Sequence, residues 1–290
     1  MKICRFDDHR LGVVLEAEGE VADVSAVLDS LPAVRYPLPR HDPLIANLNL
    51  LRARIEEALP KAKRTALSSV KLLSPVANPG KIMAAPVNYL KHLQEVQKDP
   101  SLHHNNSIAH IQKAGIFLKA TSSLIGAGEA ICIAYPDRRT DPEIELVIVI
   151  GRKAKDVKAA DALGFVAGYA IGLDVTIRGP EDRSLRKSPD TYTVLGPWLV
   201  TADELGDPGA LSFALKVNDE AKPRQASNTN DLIIDVPALI EWASSFYTLH
   251  PGDLLFTGTP EGVSQIKAGD QLEAQIERIG RMRVAVRAAA

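Results

Sequence analysis

The chain has 290 residues, enough for one large domain or two ordinary ones, and for a full hydrophobic core without disulfide or metal staples. Hydrophobic residues make up 46% and charged residues 24%, a globular composition rather than that of a disordered chain. The net charge of −2 excludes nucleic-acid binding through bulk positive charge and a polybasic membrane signal, and aromatics at 5% are too few for single-strand stacking platforms.

Cys4 and Cys132 are the only cysteines; they form no C-x-x-C pair and no zinc-like cluster, so the chain reads as a reduced, cytoplasmic protein. The charged start, Met1 to Arg10, lacks the apolar core of a signal peptide. The longest apolar run, Ala162 to Leu173, is interrupted by three glycines and falls short of the about 20 residues that span a bilayer.

Residues 1–70 read as a small N-terminal domain and 71–290 as a second, larger one. In the first, short strands are predicted at 13–15 and 21–24 around Gly19, a proline-rich loop at 32–43, and an amphipathic helix over 44–59 that Pro60 stops. From Val70 onward, short apolar runs alternate with glycine and proline. Strands are predicted at 81–84, 116–119, 146–150, 254–257, 271–276 and 282–286, with helices at 89–97 and 237–246. The fold class is therefore α+β and β-rich. Residues 98–114 are polar and aperiodic and read as a mobile loop, in which His103, His104 and His110 are solvated rather than a metal cluster.

Five segments could carry chemistry. Glu143 and Glu145 stand two apart at the start of a strand apolar on both faces, so their side chains leave the same face. Two close carboxylates repel, and a divalent cation removes the conflict; the other reading is a solvated strand end. Asp174 closes the most apolar run and either completes such a site or caps a turn. His92 and Glu95 share a helix face, as a tautomer-fixed general base or as a surface pair. Lys187, in Arg186-Lys187-Ser188-Pro189-Asp190, either binds a substrate oxyanion or is solvated. In Pro251 to Val263 a strand runs into Thr257-Gly258-Thr259-Pro260, an anion-binding turn or a plain β-turn. The glycine-rich dinucleotide, P-loop, nucleophile-elbow and H-E-x-x-H motifs are absent.

In this order the segments resemble the fumarylacetoacetate hydrolase family over about residues 75–290. The resemblance rests on Phe117-Leu118-Lys119 with Ser122-Ser123 and Gly126, Glu143-Ile144-Glu145-Leu146, Gly168-Tyr169 to Asp174-Val175-Thr176 with Arg178, Lys187-Ser188-Pro189-Asp190 with Gly196-Pro197-Trp198, and the Thr257–Pro260 turn. It implies a mixed β-roll or sandwich catalytic domain, usually in a homodimer, acting on a small 2-oxo or diketo acid. It implies Mg²⁺ or Mn²⁺ on Glu143, Glu145 and Asp174, and His92, Glu95 and Lys187 as catalytic residues. Tyr89, Lys119, Arg178 and Thr259 are implied in substrate binding.

Two departures from the family pattern are Val87, where many members carry arginine before the Asn88-Tyr89 pair, and Ala120 in place of proline. With the long 96–114 segment they suggest a bulkier or less anionic substrate. The expected reaction is hydrolysis of a carbon–carbon bond in a 2,4-dioxo acid, as in aromatic-compound catabolism. Decarboxylation, hydration or dehydration, and isomerisation of a 2-oxo acid use the same site, and a non-catalytic metal- or acid-binding protein is the reading from another class.

Overall fold

The computed structural model describes residues 1–104 and 111–289, so His110, the rest of 105–110 and the side chain of His103 lie outside the described residues. The architecture is α+β, with two large sheets, each mixed in strand direction. The larger follows the order Lys63–Ala66, Glu20–Asp23, Arg10–Leu15, Lys2–Phe6, Thr193–Thr201, Val166–Asp174, Ile144–Ile150, Leu254–Phe256, Ile82–Ala84 and Phe117–Lys119. The smaller runs Gln225–Asn228, Ser212–Val217, Gln271–Ile276, Gly280–Ala288 and Ile131–Ile133.

The central strand Ile144–Ile150 is buried along its whole length because both its faces are covered. Its period of two divides it between two cores. Ile144, Leu146, Ile148 and Ile150 pack in a core shared with Phe213, Leu215, Leu272 and Val284 of the smaller sheet. Val147 and Val149 face the other core, which the helix Leu48–Ala58 closes with Leu51 and Ile55. Glu145 lies on the same face as Val147, and Gly172 is its partner across the next strand.

The N-terminal strands continue the larger sheet. Lys2 pairs with Val200 and Ile3 with Leu199, antiparallel. Buried Asp42 adds a second tie: its carboxylate caps Ile45 N–H at 3.0 Å and accepts from Ala77 and Asn78 N–H at 3.0 and 2.9 Å. No described helix is long and apolar enough to cross a membrane.

Two predicted elements differ. The helix expected over 44–59 is two, Pro43–Ala46 and Leu48–Ala58, because the Asn47 amide bonds the Pro43 carbonyl at 2.8 Å and its backbone leaves helical geometry. The expected mobile loop at 98–114 contains short helices at Pro100–His103 and Ile111–Ala114. Asp99 caps the first through Ser101 N–H at 2.9 Å, and buried Leu102 and Ile111 anchor the two. The helices expected at 89–97 and 237–246 are Leu90–Lys98 and Val236–Phe246. The edge-free strand Thr193–Thr201 has no counterpart among the predicted elements.

Gly172 is where backbone must approach side chain. A Cβ there would lie 2.4 Å from both Phe256 Cε1 and Val147 Cγ2, both fully buried. Gly172→Ala is therefore expected to destabilise the fold by about 1–3 kcal/mol through overpacking, read as a lower midpoint in chemical denaturation.

Candidate active site

Three adjacent strands of the larger sheet bring the candidate residues to one end. Glu143 and Glu145 flank Ile144 where one strand begins, and Asp174 is where its antiparallel neighbour ends; Asp174 N–H bonds the Glu143 carbonyl at 2.9 Å. On the other side, Leu254–Phe256 runs antiparallel and its continuation, Thr257-Gly258-Thr259, turns across the same end. Gly258, at φ +101°, allows that turn and points its N–H at Glu145 Oε2, 2.6 Å away.

One carboxylate oxygen from each of Glu143, Glu145 and Asp174 lies within 4.8 Å of the others, and all three residues are buried. Cations meet this charge. Lys187, at the end of the short helix Arg183–Lys187, donates to Glu143 Oε2 at 2.8 Å, Asp174 Oδ2 at 2.7 Å and Thr176 Oγ1 at 2.6 Å. Arg178 donates to Glu143 Oε1 at 2.7 Å and to Asp141 Oδ2 at 2.8 Å. Lys119 donates to Asp174 Oδ1, and to the Tyr192 carbonyl at 3.0 Å.

Environment separates the two glutamates. Burial, then the Asp174 carboxylate, pushes Glu145 well above the usual carboxylate range. Burial opposes ionisation of Glu143 as well, but the Lys187 ammonium and Arg178 guanidinium outweigh it and hold its pKa low. A cluster of hard oxygen donors, one of them reluctant to ionise without a cation, fits a divalent ion such as Mg²⁺ or Mn²⁺.

His92 and Glu95 face this cluster from the helix Leu90–Lys98. His92 is buried and lines the same cavity as the three carboxylates. Its Nδ1 pairs with Glu95 Oε2 at 2.9 Å, and Glu95 Oε1 accepts Gly262 N–H at 2.9 Å. That bond leaves Nε2 as the free ring nitrogen. Asn88 sets the helix in place: its amide donates to the carbonyls of Thr257 and Ile234 at 2.8 and 3.0 Å and accepts from Ile234 N–H at 2.8 Å.

The remaining sequence-predicted residues divide. Arg178 and Thr259 line the cavity. The Thr259 hydroxyl is already engaged, donating to the Ile144 carbonyl and accepting from Gln225, both at 2.9 Å. Lys119 lies behind Asp174. Tyr89 is buried, edge-on to Phe213, and its hydroxyl has no partner among the described residues. Four residues were not foreseen in these roles. Gln225 also accepts Ile144 N–H at 3.1 Å, and no local pattern marks it. Arg139 joins Asp141 at 2.9 Å to Ser101 Oγ at 3.0 Å and the Val263 carbonyl at 3.1 Å, tying the 99–101 segment to the site. Arg183 and Arg186 line the cavity; their spacing to Lys187 on a helix was the available signal.

Residues 81–287 match the family described as fumarylacetoacetate (FAA) hydrolase C-terminal. A maleylpyruvate hydrolase of Aquipseudomonas alcaligenes is 57% identical over 292 residues, covering 99% of each chain. A mitochondrial oxaloacetate tautomerase of Rattus norvegicus is 36% identical over 95% of this chain and 86% of its own. The crystal structure of a maleylpyruvate hydrolase from Sphingobium sp. SYK-6 superposes with a TM-score of 0.83 at 39% identity, covering 100% of both chains. A second structure of that protein is a complex with manganese(II) ion and pyruvate.

If the three carboxylates hold the ion, Asp174→Asn should weaken Mn²⁺ binding by at least about 100-fold, the upper end of what loss of an outer-shell partner does. Calorimetric titration reads the affinity, and an unchanged circular dichroism spectrum confirms that the fold persists.

Proposed function

The chain belongs to the fumarylacetoacetate hydrolase family, and from that premise we propose that it is a divalent-metal-dependent hydrolase that cleaves an acylpyruvate, a 2,4-dioxo acid, into pyruvate and a second acid. The observation that carries this reading is His92, clamped by Glu95, facing three buried carboxylates across one cavity. It is supported by the relatives named maleylpyruvate hydrolase and by the manganese–pyruvate complex of one of them. The setting that fits is aromatic-compound catabolism in the cytoplasm, and the assembly that fits is a homodimer.

Glu143, Glu145 and Asp174 hold the ion in this proposal. When bound, it supplies Lewis-acid polarisation of the 2-oxo acid end and stabilises negative charge developing on the substrate oxygens. His92 takes a proton from water on Nε2, while Glu95 fixes the ring through Nδ1 and stabilises the imidazolium. The water oxygen adds to the distal carbonyl carbon. The bond between that carbon and the methylene then breaks, leaving a carboxylic acid, and the electron pair passes into the pyruvate half. A proton returned to the methylene carbon completes pyruvate. Lys187, with Arg178 beside it, contributes fixed positive charge where the electron pair arrives. Lys119 and Gln225 act as supports, the first holding Asp174 and the second the Glu143–Glu145 backbone and Thr259.

Residues 1–70 are proposed as a small N-terminal domain and 71–290 as the catalytic one. The beginning of the family match at residue 81 supports that division in function, although the sheet and both cores run across it.

His92→Ala should reduce turnover of a Mn²⁺-loaded preparation on maleylpyruvate by about 100- to 10,000-fold, the usual range for a lost general base, with Mn²⁺ affinity nearly unchanged. Loss of the enol absorbance with two acid products indicates cleavage. Loss of the enol form with a single acid indicates tautomerisation instead. Wild-type turnover in the variant overturns the role of His92.

A further inference from the structure

Three arginines line the cavity beside the carboxylates: Arg178, Arg183 and Arg186. Arg178 is neutralised by Asp141 and Glu143. The other two make no ion pair among the described residues, and residues 105–110 contain no carboxylate. Arg186 is buried and directs its N–H groups at backbone carbonyls, Glu181 at 2.7 Å and Ile177 at 3.3 Å. Arg183 is half-buried and makes no hydrogen bond among the described residues. Two unneutralised cations facing one cavity repel each other, and an anion between them relieves both.

Their position indicates which anion. Arg183 precedes Lys187 by four residues on one short helix, so its side chain leaves the same face as that of the lysine that touches Glu143 and Asp174, and both residues line the one cavity. A dicarboxylic acid with one end at the carboxylates can present its other end to Arg183 within that cavity. Val87 lines the same cavity and offers no charge. Bidentate N–H donors matched to a planar carboxylate are what a guanidinium provides.

We propose that Arg183, with Arg186 behind it, receives a second carboxylate at the far end of the substrate and so selects dicarboxylic over monocarboxylic 2-oxo acids. The assignment rests on the reading that the 2-oxo acid end lies at the Glu143–Glu145–Asp174 cluster. It replaces the less anionic alternative of the sequence expectation with one drawn from the helix Arg183–Lys187.

Binding tests it without requiring turnover. Mn²⁺-loaded wild type, Arg183→Gln and Arg183→Lys are titrated calorimetrically with 2-oxoglutarate and with 2-oxopentanoate, its monocarboxylic counterpart. Wild type should bind the dicarboxylate at least about tenfold more tightly, the low end of what a charge-assisted hydrogen bond supplies. Arg183→Gln should erase the difference and Arg183→Lys restore part of it. Equal binding of both acids by wild type, or a preference that survives in Arg183→Gln, overturns the proposal. A preference that depends on Arg183 in a protein that cleaves no acylpyruvate leaves this assignment standing and overturns the hydrolase reading instead.

Discussion

Three carboxylates share one buried end of a sheet, with an oxygen of each within 4.8 Å of the others, and the surrounding structure is arranged to tolerate that repulsion. The cations come from different parts of the chain: Lys119 from an edge strand, Arg178 from just beyond Asp174, and Lys187 from a helix. Each meets a carboxylate directly. The arrangement is asymmetric, since Lys187 and Arg178 stabilise Glu143 in its charged form while Glu145 receives a single backbone N–H from Gly258. The least compensated carboxylate is therefore the one with most to gain from a divalent ion.

The sheet supplies the precision this requires. Antiparallel pairing aligns the start of one strand with the end of the next, so Glu143 and Asp174 meet through a backbone hydrogen bond. Burial on both faces prevents a register slip, because a shift of one residue would exchange Glu145 and Val147 with Ile144 and Leu146 between two different cores. Gly172 belongs to the same constraint, since only a residue without a side chain fits between Phe256 and Val147.

Above this rigid end lies the helix carrying His92 and Glu95. It is tied down by Asn88 at its start, by Glu95 to Gly262, and by the apolar contacts of Val96, Leu102 and Val263. Arg139 links the segment after it to Asp141, and Asp141 in turn holds Arg178. The base and the carboxylates thus belong to one connected set of hydrogen bonds although they lie far apart in the chain.

Composition, periodicity and spacing were sufficient for the β-rich class, for the doubly buried strand after Glu145, and for the pairing of His92 with Glu95, because each depends on residues close together in sequence. The ordered set of motifs also carried the family. Local pattern failed where tertiary contacts override it: Asn47 divides a helix through a hydrogen bond to Pro43, and Pro100–His103 and Ile111–Ala114 form helical turns because Leu102 and Ile111 find buried positions. Gln225 and Arg139 carry no mark in a single sequence, since each acts on residues it reaches only after folding. The sequence by itself determined which chemical groups this protein has and the short-range geometry among neighbours. Only the tertiary structure decided which of those groups share a cavity, which charges are neutralised and which remain open to a ligand, because charge pairing falls off over a few ångströms and such distances between remote residues exist only in the folded chain.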